Sequence, residues 1–271
     1  MIGTAYRARA IGAGLAAVLA LLALIWTTQA RADAAQPDAI AAAEAHRAAT
    51  AFKKALARFQ AATNDPDAQL QFGRAAFDWA DCSTSDTQRE KIAQQGIDAC
   101  RQLVKQDPKS APGHYYLGMN LGELAETKEL GAIRIVTDME VEFNAAAALD
   151  EKFDYAGPDR NLGLLYLQAP GWPISVGDKT RARAHLLRAV RLSPDYPENL
   201  LNLIEAELQW GDQTAARREL AALEKIWPAA QEKFTGEVWA ATQADWKKRR
   251  AAAQAKVAAE PKAPEPAHER N

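Results

Sequence analysis

The residues with most chemistry to offer are four histidines, a Gly-flanked Lys-Thr pair and two close aspartates. "GWPISVGDKT" approaches a phosphate loop, but five residues separate Gly171 from Gly177 where four are needed. An Asp precedes Lys179, and the segment before the loop reads as helix rather than strand, so no nucleotide is expected. His46, His114, His185 and His268 stand alone, without an H-E-x-x-H or Cys/His pair, so no metal site and no cofactor are expected. Asp65 and Asp67 lack the remaining ligands of a calcium loop. No G-x-S-x-G elbow occurs and neither cysteine lies in sequence beside a base, so no catalytic residue is assigned. The chemistry-bearing types are present, but not in catalytic patterns.

The cysteines also bear on compartment. "MIGTAYRARAIGAGLAAVLALLALIWTTQARADAAQ" has a basic start at Arg7 and Arg9, an apolar run Ile11 to Trp26, and small residues Ala30 and Ala32. That layout is a secretory signal with cleavage expected after Ala32, giving a periplasmic or secreted protein with no membrane span left. The alternative is an uncleaved anchor, although the run falls short of the roughly 20 residues that span a bilayer. In an oxidising compartment Cys82 and Cys100 could pair. With Cys82 ending one helix and Cys100 midway along the next, they stand about 20 Å apart, against a limit near 7 Å. A bridge survives only if the loop "DCSTSDT" runs longer and the second helix starts near Gln94.

The elements that must position these residues are helices. The 48% hydrophobic content is carried by Ala and Leu more than by Val or Ile. Net charge is −2, which supplies no electrostatic reason for a nucleic-acid partner. An amphipathic helix is expected from about Asp38 to Ala62, with Ile40, Ala43, Ala49, Phe52, Leu56 and Phe59 on one face. "TNDPD" ends it. A repeat follows, punctuated by Asp107-Pro108, Leu149-Asp150-Glu151, Ser193-Pro194 and Trp227-Pro228. Each unit opens on an apolar pair or apolar–glycine pair: Phe72-Gly73, Leu117-Gly118, Leu162-Gly163 and Leu203-Ile204. Its second helix carries small and apolar residues four and three apart, as in Ala182, Leu186, Ala189 and in Ala216, Leu220, Leu223. Small residues let paired helices approach, large ones fill the gaps, and Pro ends each second helix.

These landmarks resemble the tetratricopeptide repeat (TPR) family, and the last unit keeps that family's spacing of about 34 residues. The resemblance implies a concave face lined by the first helix of each unit. It would carry Leu70, Arg74 and Phe77, then Tyr115, Met119 and Glu123, then Arg160, Leu164 and Leu167, then Leu201, Glu205 and Leu208. Such a mixed lining suits a peptide or an amphipathic helix of a protein partner, while several of the apolar positions would serve equally as core. "HYYLGMNLGELAETKELGAIRIV", "FDYAGPDRNLGLLYLQAPGWPISVGDKTRARAHL" and "SPDYPENLLNLIEAELQWGDQTAARREL" are similar to exported bacterial repeat proteins related to the T-component of TRAP transporters. That likeness implies an accessory subunit handling a small, apolar solute with a periplasmic binding protein. This chain lacks the Cys that carries such a subunit's lipid.

The expectation is an all-α, right-handed superhelix of four TPR-like hairpins: signal 1–32, leading helix 33–66, repeats 67–230, closing helix 231–252, disordered tail 253–271. Function is read as non-enzymatic binding or scaffolding. In the loop "QAPGWPISVGDKT", Pro170, Gly171 and Pro173 are expected to form a rigid insert rather than a ligand loop. Trp172 is expected to fold back as an anchor on the adjacent hairpins.

Overall fold

The computed structural model describes residues 23–128 and 132–259, with side chains from residue 39 onward. Helix α1 (Ala23–Ala61) leads into four antiparallel hairpins. These are α2 (Pro66–Asp81) with α3 (Asp86–Gln106), α4 (Ala111–Glu126) with α5 (Ala132–Leu149), α6 (Phe153–Gln168) with α7 (Lys179–Leu192), and α8 (Pro197–Gln209) with α9 (Gln213–Lys233). A 3₁₀ turn (Glu237–Trp239) and α10 (Ala240–Ala258) close the chain. No strand occurs among the described residues.

Local chemistry sets most of the boundaries. Asp65 caps α2 by accepting from Asp67 N, with Pro66 at its first position. Ser110 caps α4 through Gly113 N, and Asp212 caps α9 through Ala215 N. The small residues act as expected: Ala182, Leu186, Ala189, Ala216 and Leu223 are all fully buried. At Gly163 a methyl group would lie 2.7 Å from Leu186 Cγ and 3.1 Å from its backbone N, so only glycine lets α6 and α7 approach this closely.

Three boundaries differ from the sequence expectation. Trp227-Pro228 does not end a helix: α9 carries Pro228 inside it and runs on to Lys233. Burial of Trp227, Ala230 and Phe234 among Tyr196, Trp239 and Trp246 offsets the donor that proline lacks. The closing helix accordingly begins at Ala240 and reaches Ala258, through residues expected to be tail. Helix α1 begins at Ala23 rather than near Asp38, passing Pro37 without a break. The remainder of the apolar leader, the rest of the tail and His268 lie outside the described residues.

The two ends of the superhelix meet. Phe52 and Phe59 of α1 pack on Phe72 at 5.4 and 5.1 Å, and Phe52 also stacks on Trp79. One turn before Phe52, Ala48 is buried, and Arg47 Nη1 donates to the Glu237 carbonyl (3.0 Å) and carboxylate (3.2 Å). Helix α1 thus touches both α2 and α10, and contacts run in a closed circuit through α1, α2, α4, α6, α8 and α10.

Cys82 and Cys100 are free. Helix α3 starts at Asp86, so the long-loop arrangement that would have brought them together does not occur. Burial pushes the Cys100 thiol up to about 12, which keeps it protonated and inert.

Candidate functional site

The joint between the second and third hairpins holds the chain's most unusual backbone. Asp154, Tyr155 and Ala156 adopt left-handed conformations, with φ of 49°, 57° and 62°. None is glycine, and at roughly 1–2 kcal/mol each the three cost on the order of 3–6 kcal/mol. The regular part of α6 begins at Gly157-Pro158, where proline's missing donor is harmless.

Arg160, one turn further, holds that turn in place. Its Nη1 donates to the carbonyls of Asp154 and Tyr155 and to Asn199 Oδ1, each at 3.2 Å, and its Nη2 donates to Asp154 Oδ2 at 3.0 Å. Tyr115 O–H donates to the same carboxylate oxygen at 2.7 Å. Asn199 Nδ2 secures the Tyr155 carbonyl from α8 at 3.0 Å. Burial pushes the Asp154 carboxyl up, against the pull of Arg160. Burial and that carboxylate raise the Tyr115 phenol well above its usual value, keeping it a donor. The cluster ties α4, α6 and α8 together around one buried ion pair.

Asn161 extends this network into a pocket. Its Nδ2 donates to the Gly157 carbonyl (2.9 Å) and to Tyr115 Oη (3.3 Å), which leaves the amide oxygen as its remaining acceptor. The pocket, ≈ 290 Å³, lies between α4, α5 and α6 and is walled mainly by Met119, Val136, Met139, Phe143, Leu164 and Leu165. Glu126 is the only ionisable residue lining it among the described residues. Gln168, Ala169 and Pro170 form the wall that leads into the α6–α7 loop.

That loop is held by its own backbone hydrogen bonds. Gly177 N donates to the Pro170 carbonyl (2.9 Å), Ile174 N to the Gly171 carbonyl (3.0 Å) and Asp178 N to the Tyr166 carbonyl (3.0 Å). A methyl group on Gly177 would come within 2.0 Å of the Ala169 carbonyl oxygen, so the crossing admits only glycine. Asp178 then caps α7 through Thr180 N and Arg181 N. The Trp172–Pro173 bond is cis. Trp172 keeps 89% of its surface exposed, and Ile174 keeps 60%. The expectation of a folded-back Trp172 is therefore wrong: Val176, packed against the core, is the residue that anchors the loop.

The residues expected on a concave face separate by burial. Phe77, Tyr115, Met119, Glu123, Arg160 and Leu201 are buried, and Met119 also lines the pocket. Leu70, Arg74, Leu164, Leu167, Glu205 and Leu208 are half-buried. Glu123 and Glu126 both pair with buried Arg89. Glu205 pairs with Arg249 of α10 at 2.8 Å. The helices are wound tightly enough that α4 is enclosed by its neighbours over Tyr115–Glu123. Sequence reasoning missed Asp154, Asn161 and Asn199. An available signal was Asn120 and Asn161, polar residues inside the apolar runs "YYLGMNLGEL" and "RNLGLLYL"; both donate to the carbonyl four residues back.

Two of the isolated histidines face a carboxylate, and His114 Nε2 also lies 3.0 Å from the Pro108 carbonyl. His114 Nδ1 lies 2.6 Å from Glu142, and His185 Nδ1 lies 2.8 Å from Asp159, whose carboxylate also accepts from Arg188. These pairs tie helices of one hairpin together. Among the described residues no group of three or more His, Cys, Asp or Glu side chains is placed to hold a metal.

No protein-family model matches the chain, and no curated protein matches it. Among solved structures it is similar to TTC0263, a thermophilic TPR protein of Thermus thermophilus, at 18% identity and a TM-score of 0.57. That alignment covers 78% of this chain and 92% of the other. The structure of MamA aligns at 16% identity over 66% of this chain and 87% of its own, with a TM-score of 0.48. The fold is thus an all-α, TPR-like helical superhelix.

Proposed function

We propose that this chain is an exported, non-enzymatic binding scaffold that recognises a protein partner. The observation that carries the reading is a rigid stack of hairpins that keeps side chains half-exposed on three of its four first helices. These are Leu70 and Arg74 on α2, Leu164 and Leu167 on α6, and Glu205 and Leu208 on α8. Export rests on the leader, with cleavage after Ala32. Affinity capture from periplasmic extract, using the chain from Asp33 onward, tests it. A protein recovered with the wild type and lost on Arg74→Ala or Leu208→Asp supports the scaffold. Recovery of no protein, with a solute co-purifying instead, overturns it.

A second reading is favoured by one observation. The ≈ 290 Å³ apolar pocket suits a small neutral solute, the role implied by the likeness to TRAP-transporter T-components. Native mass spectrometry of the purified chain tests it through a bound mass that disappears on Leu164→Arg.

A further inference from the structure

The apolar surface of the third hairpin is unevenly placed. Among the described residues Trp172 is the most exposed large apolar side chain, followed by Ile174 and by Val141 of α5. Trp172 sits two residues beyond Pro170, which walls the pocket, so their Cα atoms are at most about 7 Å apart. The loop's backbone hydrogen bonds and the Gly177 crossing hold this tip without help from the two side chains. A tip already rigid loses little freedom on binding.

The charge around the pocket says what kind of partner fits. Glu126, which pairs with Arg89, places a carboxylate in the pocket wall. The Glu126 side chain keeps 25% of its exposure. Among the described residues no lysine, arginine or histidine lines the pocket. The exposed indole of Trp172 offers a face for a cation. At ~30 Å³ per water the pocket holds roughly ten waters' volume, room for one bulky side chain rather than a helix.

We propose that this pocket, with Trp172 and Ile174 beside it, docks an amphipathic segment of a protein partner that inserts one bulky apolar side chain and carries a Lys or Arg next to it. The site rests on the scaffold reading but moves recognition from the half-exposed first helices to the edge formed by α4, α5, α6 and the loop. A buried apolar anchor flanked by a cation stacked on tryptophan is the kind of contact that dominates protein interfaces.

The test is to pan a random dodecapeptide phage library against the full chain and to measure the recovered peptides by fluorescence anisotropy. The expected consensus is an aromatic, Leu or Met within four positions of Lys or Arg. Trp172→Ala and Leu164→Arg should each weaken binding tenfold or more, and Lys105→Ala, on the exposed side of α3, should change it less than twofold. If Leu164→Arg fails to fold, Trp172→Ala and Ile174→Asp decide, since both positions are exposed. Peptides lost on Arg74→Ala but indifferent to Trp172→Ala overturn the docking site and leave the scaffold standing. A consensus rich in Asp or Glu also overturns the site. Concentration-dependent self-association that Trp172→Ala abolishes overturns it in favour of a second copy. Recovery of no peptide above background overturns both readings.

Discussion

Arg160 holds the joint between the second and third hairpins. Replacing it by Ala leaves the Asp154 carboxylate buried without a cation and the left-handed turn without two of its carbonyl partners. The expected loss is about 3–5 kcal/mol in urea unfolding. Arg160→Lys should fall between, because an ammonium keeps the charge but not the forked geometry; a loss under about 1 kcal/mol for Ala would show that the turn holds itself. Glu198 gives a pH-dependent counterpart. Burial pushes its carboxyl up, but Arg249 and the Trp246 indole N–H more than reverse this and leave it below the ordinary 4.5. A lowered folded value means the contribution is complete above pH 4.5 and is lost as pH falls through that lower value. Glu198→Gln is expected to lower stability at neutral pH and to flatten the acid limb of the stability curve. An unchanged acid slope would assign that limb to other carboxylates.

At the scale of elements, the hairpins depend on helix spacing set by single small residues. Gly163→Ala brings a methyl group against Leu186 side chain and backbone together, so α6 and α7 must separate. The expected cost is about 1–3 kcal/mol, read as a lowered melting temperature; an unchanged melt would mean that Leu186 yields freely. This spacing was legible in the sequence, because Gly118 and Gly163 recur beside leucine at the same place in successive units. The extent of α9 was not. Proline punctuates a helix by local sterics, and only the aromatic cluster around Phe234 determines that the helix survives Pro228. Trp172 was misread for a related reason. A tryptophan between two prolines looks like an anchor, but the backbone bonds of the loop had already made one unnecessary.

At the scale of the whole molecule, α1 connects the first hairpin to the closing helix α10. Its grip on α2 is aromatic, whereas its contact with the 3₁₀ turn includes the exposed pair Arg47–Glu237. An exposed pair contributes only about 0–1 kcal/mol, so α1 is expected to stay on α2 and to meet α10 more loosely. Phe52→Ala combined with Phe59→Ala should release α1 and speed amide exchange in α10 as well as in α2. Faster exchange confined to α2 would mean that the two ends do not support each other.

The sequence by itself determined the class of this protein. Helix-favouring composition, glycines placed for close approach and caps such as Asp65 and Ser110 are local signals, and each acts within a few residues of where it is read. It also marked the α6–α7 loop as a proline- and glycine-rich connection. The tertiary structure decided what those elements expose. Tyr115, Glu123 and Arg160 sit on first helices where a concave lining was expected, yet are buried because the winding of neighbouring hairpins encloses them. Trp172, which looked like an anchor, is exposed beside a pocket made by three helices. Exposure is a property of the packed arrangement, set by contacts between residues tens of positions apart, and no periodicity within one helix records it.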